Sequence, residues 1–126
     1  MNALIQNDLA AQTSVAEAGP SPYQLLSRHR TLLLIYTAAI LFDTVSTIHF
    51  MVRDGICLEL HPLVRVSSYY YGPVLGPVLF AFLFKLFAGL ILLFYFKHYA
   101  RYILRTASAI AFVAGLYNFI EHPPIL

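Results

Sequence analysis

The chain has 126 residues, of which 60% are hydrophobic and only 11% are charged, and its formal net charge is +2. A typical soluble domain is about 45–50% apolar and about 25% charged, so this composition excludes an ordinary soluble domain and a disordered chain. The small net charge argues against a nucleic-acid-binding protein, because such proteins carry a basic patch. The single cysteine, Cys57, excludes an internal disulfide and a zinc site built from cysteines.

The amino-terminal residues 1–22 are predicted to form a mobile tail. They carry Asp8 and Glu17, they lack an early basic region, and no long apolar core precedes the Gly-Pro-Ser-Pro run at residues 19–22. These features are not those of a secretory signal peptide. The remaining residues 23–126 are predicted to form a single membrane domain.

Three apolar segments, at about residues 31–52, 77–96 and 102–120, are long enough to cross a bilayer, and Pro73 is an alternative start for the second. Each has about 20 residues and would span about 30 Å as a helix, which matches the hydrocarbon core. Three segments cannot close a barrel, so helices are the only spanning structure available to them. The predicted fold is therefore an all-α membrane protein with three transmembrane helices.

The two connections between these segments differ in length and character. Residues 53–76 form a long connection in which residues 63–71 are compatible with a short interfacial helix, because Tyr69, Tyr70 and Tyr71 suit the headgroup level. Residues 97–101 form a tight basic turn.

Basic residues are distributed unevenly about these segments. One side has Arg28, Arg30, Lys97, Arg101 and Arg105, whereas the other has Arg53 and Arg65. The positive-inside rule then places the amino terminus and the basic turn in the cytoplasm. The long connection and the carboxyl terminus are expected to face outward.

Two ionisable residues, Asp43 and Lys85, lie near the middle of the first and second segments. A charge at mid-membrane is costly and usually has a partner. Since the two helices run antiparallel, the residues lie at similar depth, and an Asp43–Lys85 ion pair makes both tolerable. Such a pair would hold two helices in register, or it would serve as a proton relay or substrate site.

Smaller polar side chains surround the predicted pair. Ser46 and Thr47 follow Asp43 at helical spacing, and Tyr36 lies two turns earlier, so they could bond to its carboxylate or to a neighbouring helix. Asn118 continues a face of small residues in the third segment. The small residues at helical spacing are Ala81, Ala88, Gly89, Ala107, Ser108, Ala111, Ala114 and Gly115. Such faces pack helices together within one chain or between copies.

A second group of polar residues falls at the expected outer surface. This His/Glu cluster consists of His49, Glu59, His61, Glu121 and His122. Imidazoles and carboxylates bind metals, so a metal site is chemically feasible there. The spacing matches no strong metal motif, however, and neither a metal nor another cofactor is predicted.

The pattern Asp43-Thr44-x-x-Thr47, Gly55, Glu59-x-His61-Pro62, Lys85 and Asn118 resembles that of a bacterial family of small multi-pass inner-membrane proteins of unknown function. His61 stands where the family has asparagine. The resemblance covers about residues 31–121. It implies a membrane fold of three or four helices in which Asp43, Glu59 and Lys85 form a polar set.

Three functions are compatible with the sequence, which contains no nucleophile elbow, zinc-protease motif or phosphate loop. The leading hypothesis is a non-catalytic accessory, assembly or scaffold subunit of a larger membrane complex, with lipid and other membrane subunits, or a second copy, as partners. The second is a small transporter or channel subunit that uses Asp43 and Lys85. The third is a membrane metal or cofactor protein that uses the His/Glu cluster.

Overall fold

The computed structural model describes residues 3–8 and 19–121. Within these ranges all regular structure is helical, as the sequence predicts. Three helical runs are long and apolar enough to cross a membrane, namely Arg30–Asp54, Pro62–Tyr95 and Ala100–Glu121. The chain is thus an all-α protein of the multi-pass membrane class. Most of the predicted amino-terminal tail lies outside the described residues, and residues 3–8 are helical.

After residues 3–8, the next described elements are a short helix and the first span. Helix α1 (Pro22–Arg28) begins with a capping box, in which the Ser21 hydroxyl accepts from the Gln24 amide and the Gln24 side chain accepts from the Ser21 amide. His29 separates α1 from α2 (Arg30–Asp54). Helix α2 ends at Gly55, whose φ of 102° is a conformation that favours glycine.

The long connection after α2 is mostly helical. A 3₁₀ turn (Ile56–Leu58) leads to α3 (Pro62–Pro77), which is broken at Gly72. Gly72 has φ 86° and ψ 168°, a conformation that only glycine adopts readily. The helix resumes at Pro73. Proline is tolerated there because the amides of a first helical turn make no hydrogen bond within the helix. The second span therefore begins near residue 73, the earlier of the two predicted starts.

The break at Gly72 folds the first part of α3 back against the start of the second span. The Ser67 hydroxyl donates to the carbonyl of Gly76 at 3.2 Å. Gly76 lies so close to Ser68 that a Cβ added to it would be 2.5 Å from the Ser68 Cα. Residues 62–71 thus form the short arm of a helical hairpin, where the sequence predicted a short helix.

The second span continues through a wide helical turn into its final part. Residues Val78–Phe84 form a π-helix, and α4 (Lys85–Tyr95) follows without a break. The π-helix directly follows Pro77, which lacks the amide proton that an α-helical ladder would use. After a turn at residues 96–99, α5 (Ala100–Glu121) forms the third span.

Helix α2 is the centre of the bundle. Of its most apolar window, 39% of residues are buried, against 17% in the second span and 22% in the third. It packs most extensively against α5, and α5 meets the second span mainly through α4.

We call the end of the bundle at residues 55–61 the loop end and the end at residues 96–99 the turn end.

Two apolar clusters hold the bundle together, one near each end. The turn-end cluster comprises Tyr36, Ala39, Ile40, Leu93, Ala100, Leu104 and Ala111. The loop-end cluster comprises Phe50, Met51, Val64 and Ala81. The first cluster joins all three spans, whereas the second joins only α2, the short arm of α3 and the π-helix. Among residues 3–8 and 19–121, no apolar core ties α5 to the second span at the loop end.

The close contact at Gly76 gives a test of the helical hairpin. Replacing Gly76 with alanine forces the two arms apart, and we expect the free energy of unfolding to fall by about 1–3 kcal/mol. The matched control is Leu75→Ala, because Leu75 is 58% exposed and should change stability by no more than about 0.5 kcal/mol. Circular dichroism during denaturant unfolding in detergent measures both. Equal stability of the two variants would contradict the hairpin packing.

Candidate functional site

Asp43 and Lys85 meet in the middle of the bundle. The Lys85 Nζ donates to Asp43 Oδ2 at 2.5 Å. The Asp43 side chain is 5% exposed, whereas the Lys85 side chain is 32% exposed. Each charge reduces the penalty that the other would carry alone in an apolar medium. The pair therefore joins the first span to the second, and the lysine side chain is the more accessible of the two partners.

The backbone at Lys85 is held in place from the first span. The Tyr36 hydroxyl donates to the Lys85 carbonyl at 2.6 Å. Tyr36 lies directly over Gly89, where an added Cβ would be 2.4 Å from its ring. Lys85 is also the first residue after the π-helix, a feature often found at functional sites. The two Tyr36 contacts, with the Lys85 carbonyl and with Gly89, fix the position of Lys85 along the first span.

Asn118 connects the third span to the same region. Its Nδ2 donates to Ser46 Oγ and to Thr47 Oγ1, each at 3.1 Å. The two hydroxyls in turn donate to the backbone carbonyl of Asp43, each at 2.8 Å. Of the two predicted partners, the hydroxyls of Ser46 and Thr47 therefore bond to the neighbouring helix, through Asn118, and not to the Asp43 carboxylate. The polar residues thus form a bridge across α2 to α5.

The small-residue faces lie where they let helices approach. Gly115 of α5 is seated against Phe42 and Asp43, because an added Cβ would be 2.5 Å from the Phe42 ring and 3.2 Å from the Asp43 Cα. Ala111 and Ser108 are buried on the same face of α5. This face therefore packs within the chain, and Asp43 lies directly beneath it.

A cavity of about 970 Å³ lies between the second and third spans toward the loop end, and it is open along the side where Ile110, Val113 and Tyr117 are exposed. Its inner end holds Asp43, Lys85, Thr47 and Asn118, and its outer end holds residues 58–62. Apolar side chains line most of the distance between these ends. The remaining lining residues are Phe50, Val64, Ala81, Ala109, Ile110, Val113, Ala114 and Tyr117.

The His/Glu cluster is not assembled into one site by the described residues. Glu59 Oε1 accepts from the backbone amide of His61 at 2.8 Å, and both residues line the outer end of the cavity. His49 instead packs against Phe119, with a ring separation of 6.1 Å. Glu121 is exposed at the end of α5, and His122 lies outside the described residues. Over residues 3–8 and 19–121, no three His, Cys, Asp or Glu residues come together as metal ligands.

The aliphatic and aromatic walls of the cavity have no distinguishing signal in the sequence. Ile110, Val113 and Tyr117 are 65%, 63% and 52% exposed, and they form one stripe of α5. Their spacing of three and four residues is a helical face. In an apolar segment, however, that signal does not distinguish a face toward lipid from a face toward a cavity.

Comparison with protein-family models, curated proteins and solved structures gives no match to this chain.

Proposed function

We propose that this chain is a small, non-catalytic protein of the bacterial inner membrane, an accessory subunit that binds a lipid-soluble molecule between its second and third spans. One observation carries the proposal. The cavity runs from the loop end to an ion pair in the middle of the bundle, and one partner of that pair, Lys85, is accessible from it.

The size and lining of the cavity support ligand binding. Sites for small molecules typically enclose about 300–1,000 Å³, are mostly apolar and carry a few placed polar groups. This cavity has about 970 Å³, aliphatic walls and its polar groups concentrated at the two ends. An amphiphilic molecule with one polar head would match both the apolar walls and one polar end.

A transporter or channel subunit that uses the Asp43–Lys85 pair is the second candidate. It is favoured by the position of the pair at the inner end of a cavity that reaches the loop end. Transport also requires a route from the pair to the turn end. There the three spans close on an apolar core in which Leu93 and Ala100 are 0% exposed and Leu104 is 1% exposed. This packing favours a binding site over a conduit.

The orientation proposed here rests on the basic residues. Arg28 and Arg101 share the turn end with His29, whose pKa is lowered by its partial burial and by these two cations. The positive-inside rule then puts the turn end in the cytoplasm and the cavity mouth outside. The assignment to a bacterial inner membrane rests on the resemblance of the Asp43, Glu59-x-His61-Pro62, Lys85 and Asn118 pattern to the family described above.

The proposed partners are lipid and other membrane subunits, or a second copy of the chain. The second and third spans leave most of their surface unburied in the single chain. Outward-facing apolar side chains on these spans, such as Phe87, Ile91 and Phe112, are at least half exposed. Such surface suits contact with acyl chains and with helices of a neighbouring subunit.

The lone cysteine allows a direct test of orientation. Cys57 is exposed at the loop end, so a membrane-impermeant maleimide added to intact bacterial spheroplasts should label it. The matched control carries Cys57→Ala and His98→Cys, which moves the thiol to an exposed site in the turn. This variant should be labelled only after permeabilisation. The reverse pattern would overturn the proposed orientation.

Ligand binding is tested by what the full chain retains on gentle extraction from its native membrane. We expect native mass spectrometry to show a bound molecule of less than about 1 kDa, the size that a cavity in this range accommodates. Val113→Trp adds bulk at the cavity wall, so the fraction of chains that carry the bound molecule should fall at least tenfold. The control Leu116→Trp lies on the same helix outside the lining and should keep it. A chain that carries no bound molecule in any variant would contradict the proposal.

A further inference from the structure

We infer that the molecule bound in this cavity is an uncharged lipid whose head carries hydrogen-bond-accepting oxygen atoms, and that Lys85 donates to that head. The inference rests on the proposed function, because it names the ligand class of the same cavity. It follows from three features of the inner end: the net charge of the ion pair, the exposure of its two members and the engagement of the neighbouring donors.

The net charge at the inner end favours an uncharged head. Asp43 and Lys85 carry opposite charges at contact distance, so together they contribute no net charge to this depth of the bundle. An anionic head would compete with Asp43 for the ammonium and would leave an excess negative charge in an apolar medium. A cationic head would leave an excess positive charge. Either excess is costly at mid-membrane.

The exposure of Asp43 and of Lys85 determines whether the lipid head accepts or donates hydrogen bonds at the ion pair. The carboxylate of Asp43 is nearly covered, at 5% exposure, whereas Lys85 is 32% exposed and lines the cavity. An ammonium group has three N–H donors and no acceptor. One donor is engaged by Asp43 Oδ2. A head that reaches the pair therefore meets N–H donors and requires acceptor atoms.

The nearby polar groups strengthen this asymmetry. Thr47 donates its hydroxyl proton to the Asp43 carbonyl, and the Asn118 amide nitrogen donates to Ser46 and Thr47. These donors are engaged within the protein, so among Asp43, Thr47, Lys85 and Asn118 at the inner end it is Lys85 that has N–H donors left for a ligand. Ketone, ester and ether oxygens fit this requirement without adding charge. The walls at Ile110, Val113 and Tyr117 then accommodate an apolar tail.

The test uses the full chain, delipidated in detergent, with four probes of similar tail length. Decylubiquinone and 1,2-didecanoylglycerol present acceptor oxygens on uncharged heads and distinguish a quinone source from a glycerolipid source. Decyl phosphate and decylamine present charged heads. Native mass spectrometry of bound adducts over a concentration series gives the dissociation constant of each probe. We expect at least one uncharged probe to bind at least tenfold more tightly than both charged probes.

Two variants connect the result to the residues. Lys85→Met together with Asp43→Leu removes the donor without leaving an unpaired charge, and we expect it to weaken binding of the uncharged probe at least tenfold. Its folding is checked by its unfolding transition. Val113→Trp should weaken binding of every probe that occupies the cavity, and Leu116→Trp should weaken none.

The outcomes separate failure of the ligand class from failure of the proposed function. If a charged probe binds as tightly as the uncharged probes or more tightly, and Val113→Trp abolishes that binding, the inferred ligand class is wrong. The cavity would still be a binding site. The same conclusion follows if the double variant binds the uncharged probes unchanged. A third outcome is that no probe binds and that Val113→Trp displaces a co-purified polypeptide or a second copy of the chain. The cavity would then hold a helix of another chain, and both the ligand class and the proposed function would be overturned.

Discussion

The ion pair between Asp43 and Lys85 sets how the helices of this bundle align along one another. Neither charge is tolerable alone in an apolar segment, so the first two spans must align at the height where their side chains meet. The surrounding contacts support that height. Tyr36 holds the Lys85 carbonyl, and Asn118 brings the third span to the hydroxyls that follow Asp43. The three helices are thus joined by one polar layer within an otherwise apolar structure.

The same layer gives the cavity its chemical character. On the turn-end side of the pair, an apolar cluster closes the space between the spans. On the loop-end side, the hairpin bent at Gly72 packs against α2 and the π-helix, and α5 stands apart from the second span. The resulting space is apolar along its walls and polar where it ends at Lys85. Packing and charge together therefore produce a site at mid-depth that an apolar bundle would not have.

The sequence was sufficient for the features that depend on composition and on single side chains. The three long apolar runs predicted a helical membrane protein, and lone charges at matching depth in two runs predicted the Asp43–Lys85 contact that the structure contains. Features that depend on backbone geometry could not be predicted from the sequence. The Lys85 carbonyl that accepts from Tyr36 has no signal in the sequence, and the cavity follows from a bend at Gly72 whose direction no residue type specifies.

A double-mutant cycle measures whether Asp43 and Lys85 stabilise the bundle as a pair. Asp43→Leu, Lys85→Met and the double variant are compared with the original chain by denaturant unfolding in detergent. Each single substitution leaves one charge unpaired and should lower the free energy of unfolding by about 3 kcal/mol. The double variant should lose much less than the sum of the two, because it leaves no unpaired charge. Strictly additive losses would show that Asp43 and Lys85 are energetically independent and would contradict this account.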